Sequence, residues 1–175
     1  MRVAFVCTGN RFRSPLAAAL LASEAEGLPV EVASLGTLDL GHKPALQEAV
    51  AIAGELGLDL SGHRAHTIPA GGMRDLDLVV GFERKHVVAS VVDGGAAIER
   101  TFTLPELVEL LGDADDPASS ARARIAAANA RRPPGFRDRP LPEIRDPLGL
   151  SAVEQREIAL ELETLVQDLA AALFD

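Results

Sequence analysis

Tryptophan and tyrosine are absent from this 175-residue chain, and only six phenylalanines are present. Because single-stranded nucleic acids are bound largely by stacking of bases on aromatic rings, this composition argues against a module of that kind. Acidic residues outnumber basic ones, and the formal net charge of −9 at pH 7 makes the bulk surface repel nucleic acid and anionic lipid. The sequence therefore predicts no nucleic-acid partner.

Cysteine is equally scarce, because Cys7 is the only one. A single thiol excludes an internal disulfide framework and is typical of a reducing, cytoplasmic setting. No stretch of about eighteen apolar residues is present, so no membrane span is expected, and Met1-Arg2 leads into a short strand-like segment rather than a signal peptide. The histidines lack the clustering of metal ligands, so we expect no metal and no other cofactor. They are His42, His63, His66 and His86.

Short apolar runs alternate with longer stretches of helical periodicity, the pattern of consecutive βαβ units. The pattern predicts strands over 2–6, 29–34, 76–81 and 98–102, and helices over 14–22, 43–56, 83–92, 104–111, 117–130 and 151–174. It indicates one α/β domain over residues 1–175, with a doubly wound, four-stranded parallel sheet flanked by helices on both faces. Residues 113–140, rich in Ala, Arg, Pro and Asp, are predicted to form a lengthened and partly mobile connection.

Three helix starts are predicted from capping residues. Ser14 is placed as an N-cap with Pro15 at the first helical position. Ser151 and Glu154 are expected to form a capping box, and Asp116 is expected to cap the helix over 117–130.

The segment Cys7-Thr8-Gly9-Asn10-Arg11-Phe12-Arg13, called the Cys7 loop below, connects the first predicted strand to the first predicted helix. Backbone N–H groups that run into a helix N-terminus form an anion site, and a nearby guanidinium both stabilises a thiolate and binds a phosphoryl group. Gly9 and Asn10 suit positions of positive φ, and the Ser14 hydroxyl is placed to hydrogen-bond the thiolate. The loop therefore predicts nucleophilic attack by Cys7 on a phosphate bound by residues 8–14.

Other chemical groups are expected at the same edge of the sheet, because ligands bind beyond the carboxyl ends of parallel strands. The segments 34–37 and 82–83 follow the second and third predicted strands. Asp146, in the segment 143–150 before the last helix (the Asp146 loop), is the candidate proton donor for a leaving oxygen. Asp116-Pro117 is the same dipeptide in a different setting and is not a candidate acid.

The Cys7 loop with its flanking Val6, Ser14 and Pro15 closely resembles the low-molecular-weight protein tyrosine phosphatases. The segments 34–37, 58–65, 75–86 and 146–147 are also similar to parts of that family. The resemblance implies hydrolysis of phosphate monoesters, above all of protein phosphotyrosine, through a phosphocysteine on Cys7. Arg13 would stabilise the phosphoryl group, and Asp146 would protonate the leaving oxygen and then activate water.

The resemblance also implies a supporting shell and a set of partners. Ser14 would support the thiolate, and Asn10, Ser34 and His63 would form a hydrogen-bonded scaffold for the loop. The partners would be a phosphorylated protein or a small phosphate ester, with inorganic phosphate as product and inhibitor.

The chain departs from the family pattern at three positions. Phe12 stands where members often carry a second cysteine, Leu148 replaces the usual aromatic residue after Asp-Pro, and Arg11 replaces an apolar residue of the loop. The wall beside the phosphate is therefore expected from Leu148, Phe12, Phe82 or Leu38, and Arg11 at the rim would favour an acidic flank on the substrate. Two alternatives stay open: an arsenate reductase that uses an external low-molecular-weight thiol, and a non-catalytic anion-binding regulatory protein.

Overall fold

Four parallel strands form the centre of the computed structural model, which describes residues 1–112 and 120–174. The strands are β1 (Arg2–Cys7), β2 (Glu31–Gly36), β3 (Leu78–Gly81) and β4 (Thr101–Thr103). The helices are α1 (Arg13–Glu24), α2 (Gln47–Glu55), α3 (Arg84–Val92), α4 (Leu104–Gly112), α5 (Ala121–Arg131) and α6 (Ala152–Phe174). Short 3₁₀ turns lie at Ile98–Arg100 and Phe136–Asp138. Among these helices, none combines the length and apolar character needed to cross a membrane.

The strand order is β2-β1-β3-β4, and every pairing is parallel. The chain therefore leaves β1 towards one side to form β2 and returns to the other side to form β3. The crevice at such a reversal, beyond the carboxyl end of β1, is the usual ligand site of an open parallel sheet. Cys7 pairs with Gly36 at that end of β1. The topology thus places the Cys7 loop at the expected position.

Side chains on β1 and β3 alternate between two apolar cores, as the period of a strand requires. One face carries Val3, Phe5 and Val80 into the main core, which α1, α4 and α6 cover. The opposite face carries Ala4, Val6 and Val79 into a smaller core with Met73 and Ala96. On that face a Cβ at Gly81 would lie 2.9 Å from Cβ of His86, so α3 packs directly on the strand. The predicted single-domain α/β fold, with helices on both faces of a four-stranded parallel sheet, is confirmed.

Two predicted helix starts have different outcomes. The prediction of Ser14 as N-cap of α1 is wrong, because the helix begins at Arg13 after Phe12 and has no side-chain cap. The Ser14 hydroxyl contacts Cys7 instead, as described below. At the start of α6 the capping box is present: Ser151 N donates to Glu154 Oε2 (3.0 Å) and Glu154 N donates to Ser151 Oγ (3.3 Å).

Two other boundaries were predicted too early in the chain. The strand predicted from residue 98 begins at Thr101, because Ile98–Arg100 form a 3₁₀ turn. The helix predicted from residue 43 begins at Gln47, because Pro44 is in an antiparallel bridge with Arg64.

Part of the long connection is held against β4. Ser120 caps α5 by accepting a hydrogen bond from Ala123 N (3.3 Å). After the helix, the buried Arg132 pairs with Glu106 (2.8 Å) and lies 3.8 Å from the ring centroid of Phe102. The predicted Asp116 cap and the first residues of the helix over 117–130 lie outside the described residues.

Candidate active site

Cys7 is the last residue of β1, and its thiol is buried at the floor of the Cys7 loop. Its Sγ accepts a hydrogen bond from Asn10 N (3.2 Å) and lies 3.0 Å from Ser14 Oγ. The Ser14 oxygen also accepts from Asn10 Nδ2 (2.9 Å). The Ser14 proton has two acceptors within reach, Cys7 Sγ and Leu35 O (3.2 Å). The contacts with Asn10 N and Ser14 Oγ hold the Cys7 sulfur at the floor of the loop.

Asn10 connects the loop to two distant segments. It is fully buried and takes φ 52°, in the left-handed region that Asn tolerates better than most residues. Gly9 was predicted to share this conformation, but its φ is not positive. The Asn10 side chain donates to Ser34 Oγ (2.9 Å) and accepts from His66 N (2.8 Å). The backbone carbonyl oxygen of Asn10 lies 2.7 Å from His63 Nε2. The structure thus brings Asn10, Ser14, Ser34 and His63 together around one loop.

Gly36, at the end of β2, allows the sheet to approach the loop closely. A Cβ at this position would lie 3.1 Å from Asn10 N, Asn10 Cβ and Thr8 O. Two further backbone bonds hold the adjoining chain, from Thr37 N to Cys7 O (2.9 Å) and from Leu38 N to Thr8 O (3.0 Å). Only a residue without a side chain leaves these backbones in place.

Arg13 is almost completely buried, with a side-chain exposure of 2%. Its Nη1 donates to Glu83 Oε1 (2.7 Å) and to Ile144 O (2.9 Å), and its Nη2 donates to Asp146 Oδ2 (2.6 Å). Burial disfavours ionisation of Glu83, but hydrogen bonds from Lys85 and Arg13 outweigh it and hold the pKa of Glu83 below its ordinary value. The guanidinium is therefore fixed between two carboxylates.

Asp146 reaches the site because its loop is attached to the sheet. Ile144 is buried, and its N–H donates to Phe82 O (2.8 Å) just beyond β3. Asp146 Oδ1 accepts from Leu148 N (3.0 Å), and the carboxyl group stays half-exposed. This arrangement leaves Oδ2 on Arg13, at the mouth of the same cleft as Cys7.

A buried histidine contacts the loop from the other side. His86 Nε2 lies 3.0 Å from Thr8 Oγ1, and its Nδ1 accepts from Phe82 N (3.3 Å) and Glu83 N (3.1 Å). Burial, followed in importance by the charge of Arg13, lowers the pKa of His86 to about 3. At neutral pH this imidazole is therefore uncharged.

The cleft above Cys7 has a volume of ≈ 210 Å³ and one mainly apolar wall, formed by Phe12, Leu38, Leu40, Leu46 and Leu148. Phe82 was predicted to contribute to the wall, but it is fully buried and its ring centroid lies 5.8 Å from Arg13 Cζ. Leu40 and Leu46 were missed. Leu40 lies in a loop whose path the sequence pattern does not show, and Leu46 was assigned to the helix predicted over 43–56, which begins after it at Gln47. Arg11 lines the cleft, and its Nε donates to Pro44 O (2.7 Å).

Sequence reasoning also missed Glu83 and His86 as parts of the site. Glu83 was noted only as lying at the end of the third strand, and His86 was considered only as a metal ligand. Over the described residues, no group of three or more His, Cys, Asp or Glu side chains is placed to hold a metal ion.

The parallel sheet has the Cys7 loop at its topological switch point, and Arg13 lines the same cleft as the thiol. Fold and site therefore define an α/β protein with a cysteine and an arginine in one cleft at a helix N-terminus. Comparison with known families narrows this class. A family model described as low molecular weight phosphotyrosine protein phosphatase matches residues 2–129. The chain belongs to this family.

Individual relatives agree with this assignment. The chain is 36% identical over 120 residues to the protein-arginine-phosphatase of Bacillus subtilis (strain 168), covering 67% of this chain and 79% of that protein. It is 37% identical over 82 residues to the low molecular weight protein-tyrosine-phosphatase Etp of Escherichia coli (strain K12), covering 47% of this chain and about half of that protein (54%). It is also similar to the crystal structure of a YwlE mutant from Bacillus subtilis, with a TM-score of 0.73, 29% identity and coverage of 98% and 97% of the two chains.

Proposed function

We propose that the protein hydrolyses phosphate monoesters, with phosphotyrosine in proteins as the substrate class, through a phosphocysteine intermediate on Cys7. The observation that carries the proposal is that the Cys7 sulfur, the Arg13 guanidinium and the Asp146 carboxyl converge on one cleft. A phosphoryl group placed over the sulfur would lie beside the guanidinium, and its ester oxygen would lie towards Asp146. Family membership supports the same chemistry.

The first step forms the bond between sulfur and phosphorus and breaks the bond from phosphorus to the ester oxygen. Ser14 and Asn10 N hold the Cys7 thiolate ready for attack. Arg13 and the N–H groups of the loop bind the equatorial oxygens, where negative charge is held in the transition state. Asp146, which must carry a proton in the enzyme–substrate complex, passes that proton to the leaving oxygen, so the alcohol departs neutral.

The second step returns the enzyme to its starting state. Asp146, now a carboxylate, takes a proton from water while the water oxygen attacks phosphorus. The bond from sulfur to phosphorus breaks, inorganic phosphate is released and the thiolate is regenerated. Two moderate barriers replace one high barrier, which is the advantage of covalent catalysis.

The lining of the cleft favours an aromatic phosphate ester. Four leucines and Phe12 present an apolar surface to the group attached to phosphorus, and such a surface suits a phenyl ring better than a charged side chain. A phosphoarginine substrate, suggested by the relative from Bacillus subtilis, would place a guanidinium there. Within residues 1–112 and 120–174, Asp146 is the only carboxyl group that lines the cleft, and the proposed mechanism already uses it as the acid.

The test compares wild-type protein with Cys7→Ser on para-nitrophenyl phosphate, a phosphotyrosine peptide and a phosphoarginine peptide. We expect wild-type hydrolysis of the first two, a much slower rate on phosphoarginine, and no measurable turnover by Cys7→Ser. Hydrolysis by Cys7→Ser would contradict the proposed mechanism. Faster wild-type turnover of the phosphoarginine peptide than of the phosphotyrosine peptide would overturn the proposed substrate class.

Two further measurements test the arsenate reductase and the non-catalytic anion-binding protein as alternative functions. Arsenate reduction with an added low-molecular-weight thiol, in the absence of ester hydrolysis, would favour the reductase. Tight phosphate binding without any turnover would favour a non-catalytic anion-binding protein.

A further inference from the structure

The contact between Thr8 and His86 has no part in the mechanism described so far. His86 is completely buried, on the first turn of α3, and reaches Thr8 across 78 positions of sequence at 3.0 Å. Its position depends on Gly81, because a Cβ there would lie 2.9 Å from Cβ of His86. The histidine is thus held firmly beneath the loop.

The hydrogen bonds of His86 determine which ring nitrogen carries the proton. Nδ1 accepts from two backbone N–H groups, Phe82 N and Glu83 N, so the proton of the neutral ring is on Nε2. Nε2–H then donates to Thr8 Oγ1. The nearest carboxylate, Glu83, has its Oε1 at 3.7 Å from Nε2, too far for a hydrogen bond.

The ring stays neutral because of its surroundings. Burial lowers the pKa of His86 most, the charges of Arg13 and Lys85 lower it further, and Glu83 acts in the opposite direction. A neutral imidazole with a fixed tautomer is a constant donor to Thr8 over the whole physiological pH range.

The Thr8 hydroxyl still has a hydrogen-bond donor to offer. Its hydroxyl oxygen accepts from His86, so its own proton is available to another acceptor. Thr8 lines the cleft together with Cys7 and Arg13, and its carbonyl oxygen accepts from Leu38 N (3.0 Å), which fixes the backbone of the residue. An acceptor in the cleft is therefore the natural partner for the hydroxyl proton.

We propose that Thr8 is a further catalytic residue, whose hydroxyl donates to an oxygen of the transferring phosphoryl group. His86 is a positioning residue that keeps this proton directed into the cleft. The inference rests on the proposed function. A donor fixed before the substrate arrives stabilises developing charge without reorganisation, and such donors have large effects on rate.

The first test removes the Thr8 hydroxyl at constant shape with Thr8→Val. We expect kcat for phenyl phosphate to fall about 100-fold, at the lower end of the range for loss of one fixed donor. Thr8→Ser keeps the hydroxyl and should retain most of the activity. Thr67→Val is the matched control, because the Thr67 hydroxyl bonds to Gly36 O rather than facing the cleft.

A binding comparison distinguishes catalysis from simple structural support. Vanadate resembles the five-coordinate transition state and phosphate resembles the product, so Thr8→Val should weaken vanadate binding more than phosphate binding. Equal weakening of both ligands would show uniform binding and overturn the catalytic role.

The role of His86 is tested with His86→Asn, because an Asn oxygen can accept the bonds made to Nδ1 but cannot reach Thr8. If His86 acts through Thr8, the two substitutions share one effect, and the double variant should be no slower than Thr8→Val alone. Multiplicative losses in the double variant would overturn the positioning role. Nitrogen NMR of the wild-type ring provides a measurement independent of folding of the variant: a proton on Nδ1 would contradict the proposal.

The outcomes separate this inference from the function on which it rests. If the wild type hydrolyses no phosphate ester, the proposed function fails and this inference fails with it. If the wild type is active and Thr8→Val matches its rate, only the inference is overturned.

Discussion

At the scale of single residues, Arg13 pairs with two different carboxyl groups in the free protein. Glu83 holds Nη1 from the start of α3, whereas Asp146 holds Nη2 from a loop whose carboxyl group is half-exposed. Glu83 lies at the buried side of the guanidinium, so it orients the arginine. Asp146 lies at the mouth of the cleft, where a substrate arrives. We infer that the phosphoryl group replaces the second partner and leaves the first in place.

Asp146→Asn tests the acid at this scale. We expect kcat for phenyl phosphate to fall about 100-fold or more, the usual effect of losing a general acid. The loss should be smaller for para-nitrophenyl phosphate, whose leaving oxygen needs little protonation. The dissociation constant of inorganic phosphate should be unchanged or lower, because Arg13 loses a competing carboxylate. Asp168→Asn, exposed on α6, is the control; equal losses for both esters would place the acid elsewhere.

Local sequence identified some of these residues and not others. Cys7 and Arg13 were found because a strand, a Gly-Asn pair and a Ser-Pro helix start surround them within fifteen residues. Glu83 and His86 contact the loop across 70 and 78 positions, and nothing near them in the sequence indicates that partner. Phe82 was assigned to the wall for the same reason: its position at a strand end was correct, but the direction of its side chain depends on packing beneath Arg13.

At the scale of elements, the end of β2 and the Cys7 loop behave as one unit. Backbone bonds and the Asn10 side chain connect them, with Gly36 at the point of closest approach. A small displacement of this strand end would move the loop amides to which the proposed mechanism assigns phosphate binding. The site therefore depends on an element that contributes no reacting group.

Gly36→Ala tests this dependence. The added Cβ would press on backbone atoms of Thr8 and Asn10 at 3.1 Å, so the loop must shift by a few tenths of an ångström. We expect a loss of about 1–3 kcal/mol in the free energy of unfolding and a clear fall in kcat/KM. Gly54→Ala on α2 is the matched control, since nothing outside its chain neighbours and its own helix backbone lies within 4 Å of its Cβ position; it should be stabilising by about 1 kcal/mol or less. Wild-type activity in Gly36→Ala would contradict the prediction.

Helix boundaries show how tertiary contacts override local preference. Ser14-Pro15 is a standard helix start, yet the helix begins at Arg13 and the Ser14 hydroxyl faces the thiol. At the start of α6, Glu154 pairs with Arg145 through Oε1 and still accepts from Ser151 N through Oε2, so the capping box forms as the sequence predicts. A capping motif forms where any other contact leaves its capping atoms free.

At the scale of the whole molecule, several acid–base groups are shifted in one direction. The pKa values of His86, His63 and Glu83 all lie below their ordinary values. Burial is the main cause for the two histidines, and hydrogen bonds from Lys85 and Arg13 determine the shift of Glu83. As pH falls, the unfolded chain therefore takes up these protons before the folded chain does, and stability decreases.

The pH dependence of stability follows from the lowered pKa values of these groups in the folded state. The largest effect comes from His86, with a pKa of about 3 in the folded state and 6.5 as the ordinary value. Between these values, we expect the free energy of unfolding to fall by about 1.4 kcal/mol per pH unit from this group. Urea unfolding at pH 7, 6 and 5 measures this pH dependence of the free energy of unfolding. His86→Asn should have a shallower slope, whereas His42→Asn, at an exposed position, should keep the slope of the wild type.

A flat wild-type profile between pH 7 and pH 5 would contradict the expected charge state of His86. It would also remove the basis for a constant donor to Thr8.

The overall architecture was predictable because strands and helices follow from the local periodicity of apolar residues. Apolar runs such as 2–6 and 76–81 alternate with helical stretches, and only a parallel sheet with helices on both faces buries both kinds of surface. The walls of the cleft depend on loops, and loops lack that periodicity. Leu40 therefore became visible as part of the wall only in the structure.

The carboxylate that Arg13 already holds has a consequence for the anions that the cleft admits. An entering anion must compete with Asp146, whose attachment to the same chain gives it a high effective concentration. Chloride or a monocarboxylate brings one negative charge and gains nothing over the group that it would displace. A tetrahedral dianion brings two charges and additional oxygens for the loop N–H groups. If the protein acts as proposed, the ion pair sets an affinity threshold, and the cleft selects an anion by its charge before any other part of the substrate is recognised.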